Sequence, residues 1–172
     1  AYFALFTWID TRYIRKEKIL FNNLVFNLVI GVIMLTQGLY LLSELRGLYL
    51  SYTPNIMYVI IRYIALLAFA LLLWQTYKLL DAEAINFKNK KVRDLVLYGV
   101  VLWVVSSEWL HWTELLGATS NYKLGLSILW VSYGVFMLVK GIHQSKSYIR
   151  IASISLILFT LVKLFFYDIA HL

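Results

Sequence analysis

Long apolar stretches, separated by short polar segments, divide this chain into a regular series. Five stretches have the length and character of membrane-spanning helices, at about residues 20–42, 56–79, 94–112, 122–141 and 149–169. A helix needs about 20 mainly apolar residues to cross the hydrocarbon core, where its own hydrogen bonds must satisfy every backbone amide. The pattern therefore predicts an all-α fold, a polytopic transmembrane helical bundle with five full spans.

The first nine residues, AYFALFTWI, are apolar but too few to span a bilayer. We interpret them as the end of an earlier helix, and residues 1–172 as one transmembrane domain from a longer chain. The composition is 62% hydrophobic and 15% charged, whereas soluble domains are nearer to half apolar and a quarter charged. So much apolar surface has to face lipid, and we expect further transmembrane helices as partners. The absence of cysteine excludes disulfides and thiolate metal sites.

Basic residues alternate between the two sides of the predicted bundle. Twelve Lys and Arg residues lie in segments 10–18, 78–93 and 140–150, and only two lie in segments 43–55 and 113–123. The positive-inside rule assigns the basic side to the cytoplasm. The same distribution argues against a nucleic-acid partner, because separate loops do not form one continuous basic surface.

Small and amide side chains recur at helical spacing on the first and fourth spans. On the first span they are Asn23, Asn27, Gly31 and Gly38, and on the fourth they are Ser127, Gly134 and Gly141. Small residues let helix backbones approach closely, and amides can form hydrogen bonds between helices in lipid. We interpret both stripes as helix-packing surfaces and not as a path for a ligand.

Three ionisable residues, Arg62, Glu108 and Lys163, lie inside predicted spans. At about 1.5 Å rise per residue, all three are roughly 10 Å below the outer surface. Because charges inside a membrane usually pair or line a wet cavity, we expect Glu108 to pair with Arg62 or Lys163. The remaining cation would then meet an anionic group. Two alternatives are that Lys163 snorkels to the headgroups and that helices beyond this sequence carry the counter-charges.

A second polar layer is predicted at the outer interface, with His111, Asp168 and His171 among its members. Glu108 and His111, like Asp168 and His171, are three residues apart, which puts a carboxylate and an imidazole on one helix face. Paired Glu-x-x-His motifs belong to di-iron bundles, but the additional bridging carboxylates of those sites cannot be identified here. We therefore predict no metal site, no cofactor and no catalytic residue.

The C-terminal part carries a recognisable pattern. It comprises LWVSYG at 129–134, then Gly141, a short basic turn and Arg150. The pattern closes as K-x-F-x-x-D-x-x-x-L, with Lys163, Phe165, Asp168 and Leu172. Residues 126–172 resemble the C-terminal part of the DUF2339 family of predicted bacterial membrane proteins. The resemblance implies a bacterial inner membrane and a longer chain with additional spans, and it implies no biochemical activity.

Lys163 and Asp168 are five residues apart, so in an α-helix their side chains diverge by roughly 140°. We therefore expect each to find its partner outside its own helix.

Three functions are compatible with these sequence features. The favoured one is a non-enzymatic scaffold, or a component of a larger envelope or transport assembly. The alternative is an envelope enzyme or carrier acting on an anionic lipid or glycan at the outer leaflet. An ion-coupled transporter fits less well, because the single proline, Pro54, lies in a loop and no span looks discontinuous.

The charge distribution generates a test of topology. Single cysteines at Asn89 and Ser120 should react with a membrane-impermeant thiol reagent from opposite sides of the membrane, cytoplasmic for Asn89. Labelling of both positions from one side would contradict the predicted orientation.

Overall fold

A computed structural model describes residue 9 and residues 17–51, 56–81, 90–117 and 122–168. Within these ranges the regular structure is helical and no strand occurs. The earlier helix predicted at residues 1–9 lies, apart from residue 9, outside the described part of the chain.

Six α-helices and two π-helical turns follow one another in this part. The helices are α1 (Glu17–Ile33), α2 (Leu39–Ser51), α3 (Ile56–Asp81), α4 (Lys90–Leu115), α5 (Tyr122–His143) and α6 (Ser147–Lys163). The π-helical turn Met34–Gly38 joins α1 to α2, and the π-helical turn Leu164–Asp168 extends α6. The first predicted span is therefore α1, the π-helical turn and α2 in sequence.

Five helical segments of the described chain are long and apolar enough to cross a bilayer. They are Phe21–Leu45, Ile56–Leu80, Lys90–Leu115, Lys123–His143 and Ser147–Tyr167. They confirm the prediction of an all-α fold with five spans, and their ends differ from the predicted ends by four residues or fewer. Large apolar side chains are exposed along every one of these segments, as lipid-facing surfaces require.

Contacts divide the chain into two compact units, residues 1–93 and residues 94–172. In the first unit α1 and α2 pack against α3. Leu24 lies with Leu79 in a buried apolar cluster, and Arg62 contacts Leu42 at the other end of the pair. Because residue numbers rise on one side as they fall on the other, the two spans are antiparallel.

In the second unit α5 and α6 form a closely packed antiparallel hairpin. The stripe of Ser127, Gly134 and Gly141 faces α6 along its whole length. A Cβ atom at Gly134 would lie 2.7 Å from Cγ1 of Ile157, and one at Gly141 would lie 3.1 Å from the backbone nitrogen of Arg150. Both positions are buried, so a larger side chain at either one would require α6 or its side chains to shift.

The turn between α5 and α6 has the Schellman arrangement. The N–H of Lys146 donates to the carbonyl of Gly141 at 3.0 Å, and the N–H of Ser145 donates to the carbonyl of Ile142 at 3.1 Å. Ser145 has a φ of 55°, the left-handed conformation that this motif requires and that glycine usually supplies. These bonds satisfy the last carbonyls of α5 and turn the chain directly into α6.

Aromatic side chains of α5 form hydrogen bonds to α4. Trp130 Nε1 donates to Ser106 Oγ at 2.9 Å, and the Tyr133 hydroxyl donates to the Tyr98 carbonyl at 2.8 Å. Long side chains thus bridge α4 and α5, whereas small ones let α5 and α6 touch.

The first-span glycines are placed differently from those of α5. A Cβ atom at Gly31 would meet no heavy atom within 4 Å, and one at Gly38 would meet the sulfur of Met34 in its own helical turn. Both asparagines of that stripe, Asn23 and Asn27, are buried.

These environments predict opposite responses to one added methyl group. Gly134→Ala should lower the free energy of unfolding by about 1–3 kcal/mol, because the added Cβ overlaps Ile157. Gly31→Ala should leave stability unchanged or raise it by up to about 1 kcal/mol, because alanine favours helix. The thermal unfolding midpoint in detergent measures both. Equal midpoints for the two variants would contradict the packing described for α5 and α6.

Candidate functional site

Arg62 is a buried cation of the first unit, with 1% of its surface exposed. It shares the inward face of α3 with Phe69, Leu72 and Leu79, which are also buried. Its Nη1 donates a hydrogen bond to the backbone carbonyl of Leu42 at 3.1 Å. The guanidinium therefore connects α3 to α2, as expected of an intramembrane charge that faces other helices and not lipid.

Lys163, on the last turn of α6, also bonds to a neighbouring helix. Its Nζ donates to Ser127 Oγ at 2.8 Å, and Ser127 is completely buried in the α5–α6 contact. In the sequence Ser127 belongs only to the predicted packing stripe of α5. Its bond to Lys163 depends on the packing of α6 against α5, which no local pattern records.

Glu108 is half-buried on α4. Ser106 bonds to Trp130, and the Trp109 ring lies against Gly125. These two contacts bracket Glu108 and place it at the level of Ser127, and so of Lys163, within the second unit. Pairing of Glu108 with Lys163, or with Arg62 of the first unit, stays a prediction.

The predicted outer polar layer is described only in part. His111 is buried, with 2% of its surface exposed, and its ring lies edge-on to that of Trp112 at 6.0 Å. The side chain of Asp168 and all of His171 lie outside the described part of the chain. No cluster of three or more His, Asp and Glu side chains that could hold a metal occurs among the described residues.

The π-helical turn Leu164–Asp168 changes one expectation from the sequence. The 140° divergence of Lys163 and Asp168 assumed α-helical geometry throughout. A π-helical turn closes by i→i+5 hydrogen bonds, which bring residues five apart towards one side of the helix. The divergence calculated from α-helical geometry therefore does not apply across this turn.

Asp94 is the centre of a polar cluster that was not predicted from the sequence. This carboxylate, buried near the start of α4, accepts hydrogen bonds from Lys146 Nζ at 3.2 Å and from the Tyr148 hydroxyl at 2.6 Å. The bond to Asp94 raises the pKa of Lys146 above its ordinary value. The cluster connects α4 to the turn between α5 and α6. The signal available in the sequence was a single carboxylate at the start of an apolar span, after the segment KKVR at 90–93.

The family described as "Predicted membrane protein (DUF2339)" matches residues 2–172. The chain belongs to the DUF2339 family. The match extends the resemblance, first carried by residues 126–172, over nearly the whole sequence. No curated protein and no solved structure matches this DUF2339 chain.

The Asp94 cluster generates a stability prediction. Asp94→Ala should lower the free energy of unfolding by about 1–3 kcal/mol, because it removes the acceptor of two hydrogen bonds. Lys146→Met should have a smaller effect, since the bond from Tyr148 remains and the lysine side chain is 39% exposed. Glu114→Ala, at an exposed position of the same helix, is the matched control. Equal unfolding midpoints for Asp94→Ala and Glu114→Ala would contradict a stabilising role.

The raised pKa of Lys146 also determines the pH range over which this lysine stabilises the folded protein. A lysine whose pKa is raised in the folded state contributes its full stabilisation below the ordinary value of about 10.4, and loses it as the pH rises through the raised value. The difference in unfolding midpoint between the native protein and Lys146→Met should therefore stay constant from about pH 7 to 9 and shrink only in stronger alkali.

Proposed function

We propose that this DUF2339 protein is a non-enzymatic helical scaffold, or a component of a larger envelope or transport assembly, in a bacterial inner membrane. The main support for the proposal is that its intramembrane polar groups form hydrogen bonds between helices. Arg62 bonds to a backbone carbonyl of another helix, Lys163 bonds to a buried serine, and Asp94 accepts two bonds from the adjoining turn and helix. Each of these bonds fastens one helix to another.

The exposed surface supports the expectation of lipid and further helices as partners. Large apolar side chains cover the outward faces in both units, among them Phe26, Trp103, Phe136 and Phe159, each about 60% exposed. Such surfaces need lipid or another apolar helix against them. The distribution of basic residues orients the segments 78–93 and 140–150 to the cytoplasm.

One observation favours the alternative, an envelope enzyme or carrier that acts on an anionic lipid or glycan at the outer leaflet. A carboxylate, Glu108, and an ammonium, Lys163, lie at one level of the second unit and are both half-buried. Proton transfer or anion binding needs groups of this kind, and a scaffold needs them only as partners for each other.

The two functions separate when folding and activity are measured on the same variants. Glu108→Gln and Lys163→Met would be introduced into the full-length protein, with Arg62→Met as a reference for loss of a helix-to-helix bond. The measurements are the unfolding midpoint, the mass of the native assembly and rescue of a deletion strain. For a scaffold, rescue should decline only together with stability or assembly. A Glu108→Gln or Lys163→Met protein that folds and assembles normally but fails to rescue would establish the alternative.

A further inference from the structure

Asn27 is a buried amide of the first unit whose hydrogen-bonding groups have no partner in the protein. Its side chain is 1% exposed, and neither Oδ1 nor Nδ2 bonds to any of the described residues. It lies six residues into the segment Phe21–Leu45, about 9 Å from the end of that span. The surrounding hydrocarbon offers no hydrogen bond at this depth. Because a buried unpaired amide is costly, these two atoms indicate a ligand between the helices.

The facing helix provides a hydroxyl at the level of this amide. Leu24 of α1 and Leu79 of α3 lie in one buried cluster. Asn27 follows Leu24 by three residues. Thr76 precedes Leu79 by three, so the amide and the hydroxyl are at the same level of the antiparallel pair. Thr76 is also buried, and its Oγ1 donates to the Leu72 carbonyl at 2.8 Å, which leaves the oxygen able to accept a bond.

There is also space beside the amide. Gly31, one turn after Asn27 on the same face of α1, is buried, yet a Cβ atom there would meet no heavy atom within 4 Å. We propose that Asn27 and Thr76 hold a water molecule between α1 and α3. The water bonds to the Asn27 amide and donates to Thr76 Oγ1, which gives it the two or more polar partners that a buried water needs. The proposal goes beyond the scaffold function and is independent of it, because an enzyme could contain the same site.

The chemistry of the amide selects water over other ligands. A cation would use only Oδ1 and leave the N–H groups of Asn27 unpaired, whereas an anion would use only the N–H groups. The one ionised side chain that is buried in the described part of the first unit, Arg62, is itself a cation. It lies at the level of Leu42, about 22 Å further along the helix pair, so no buried carboxylate is available there to balance a cation. A side chain from another protein could not reach an amide that its own chain covers almost completely, but a water molecule is small enough to be enclosed.

Water-edited solid-state NMR of the full-length protein in lipid bilayers tests the site directly. Magnetisation would be transferred from water protons to isotope-labelled asparagine side chains, and Asn27→Leu would identify the Asn27 signal by its loss. Asn22, which is exposed on the same helix, is the hydrated reference. We expect transfer to Nδ2 of Asn27 as well as to that of Asn22. Transfer to Asn22 without transfer to Asn27 would overturn the proposal.

Two matched threonine variants test the second partner of the water. Thr76→Val removes the proposed acceptor. Thr36→Val removes an exposed hydroxyl of the same kind, which donates to the Val32 carbonyl at 2.9 Å. Thr76→Val should weaken the transfer to Asn27 by up to about fivefold, the equivalent of one hydrogen bond, and Thr36→Val should leave it unchanged. Equal transfer in the two variants would overturn the bridge to Thr76.

The unfolding midpoint in detergent distinguishes a hydrated amide from a dry one. Asn27→Leu should lower the midpoint if a water connects the amide to α3, because the substitution removes that connection. Replacing a dry, unpaired amide by an apolar side chain would leave the midpoint unchanged or raise it, and either result would contradict the proposal. The NMR transfer is measured on the native protein, so it decides the existence of the site even where a variant fails to fold.

Discussion

Hydrocarbon offers no hydrogen bonds, so every polar group that enters it must find a partner within the protein. This constraint shapes both units of the chain. It directs the Arg62 guanidinium to a backbone carbonyl of α2, and it directs the Lys163 ammonium to a buried hydroxyl on α5. Near the start of α4 it brings a lysine and a tyrosine to the Asp94 carboxylate. The hydrogen bonds between helices thus offset the cost of desolvating these polar groups, and they also specify which helices are neighbours.

Helix α5 contacts two neighbouring helices, α4 and α6, in different ways. Its small-residue side lets the α6 backbone come close, with Ile157 and Arg150 near the missing side chains of Gly134 and Gly141. Trp130 and Tyr133 of the same helix donate hydrogen bonds to α4, to the Ser106 hydroxyl and to the Tyr98 carbonyl, while the Trp130 ring also stacks on Phe159 of α6. Close backbone contact makes the first interface, and long side chains make the second. The close contact is also what buries Ser127 and makes it available to Lys163.

Membership of the DUF2339 family identifies the kind of protein and leaves its activity to be argued from its residues. Two features bear on its function: the polar groups that form hydrogen bonds between helices, and the half-buried Glu108 and Lys163 of the second unit. The first supports the proposed scaffold, and the second supports the proposed alternative.

The sequence by itself determined the membrane class, the five spans and their ends to within four residues. Those properties depend on local composition and on the length of helix that crosses a bilayer. Counting residues from the span ends also predicted one depth for Arg62, Glu108 and Lys163. The contacts of Ser106 and Trp109 bear only on the last two, since they place Glu108 near Ser127, the partner of Lys163. The sequence did not determine which residues these side chains contact on other helices. Gly31 and Gly134 belong to similar stripes, yet only Gly134 is crowded, because crowding depends on the side chain that the facing helix presents. The carbonyl of Leu42, the hydroxyl of Ser127 and the carboxylate of Asp94 were likewise assigned only by the tertiary structure. Each lies 20 or more residues from the group it binds, and no local pattern records which helices come together.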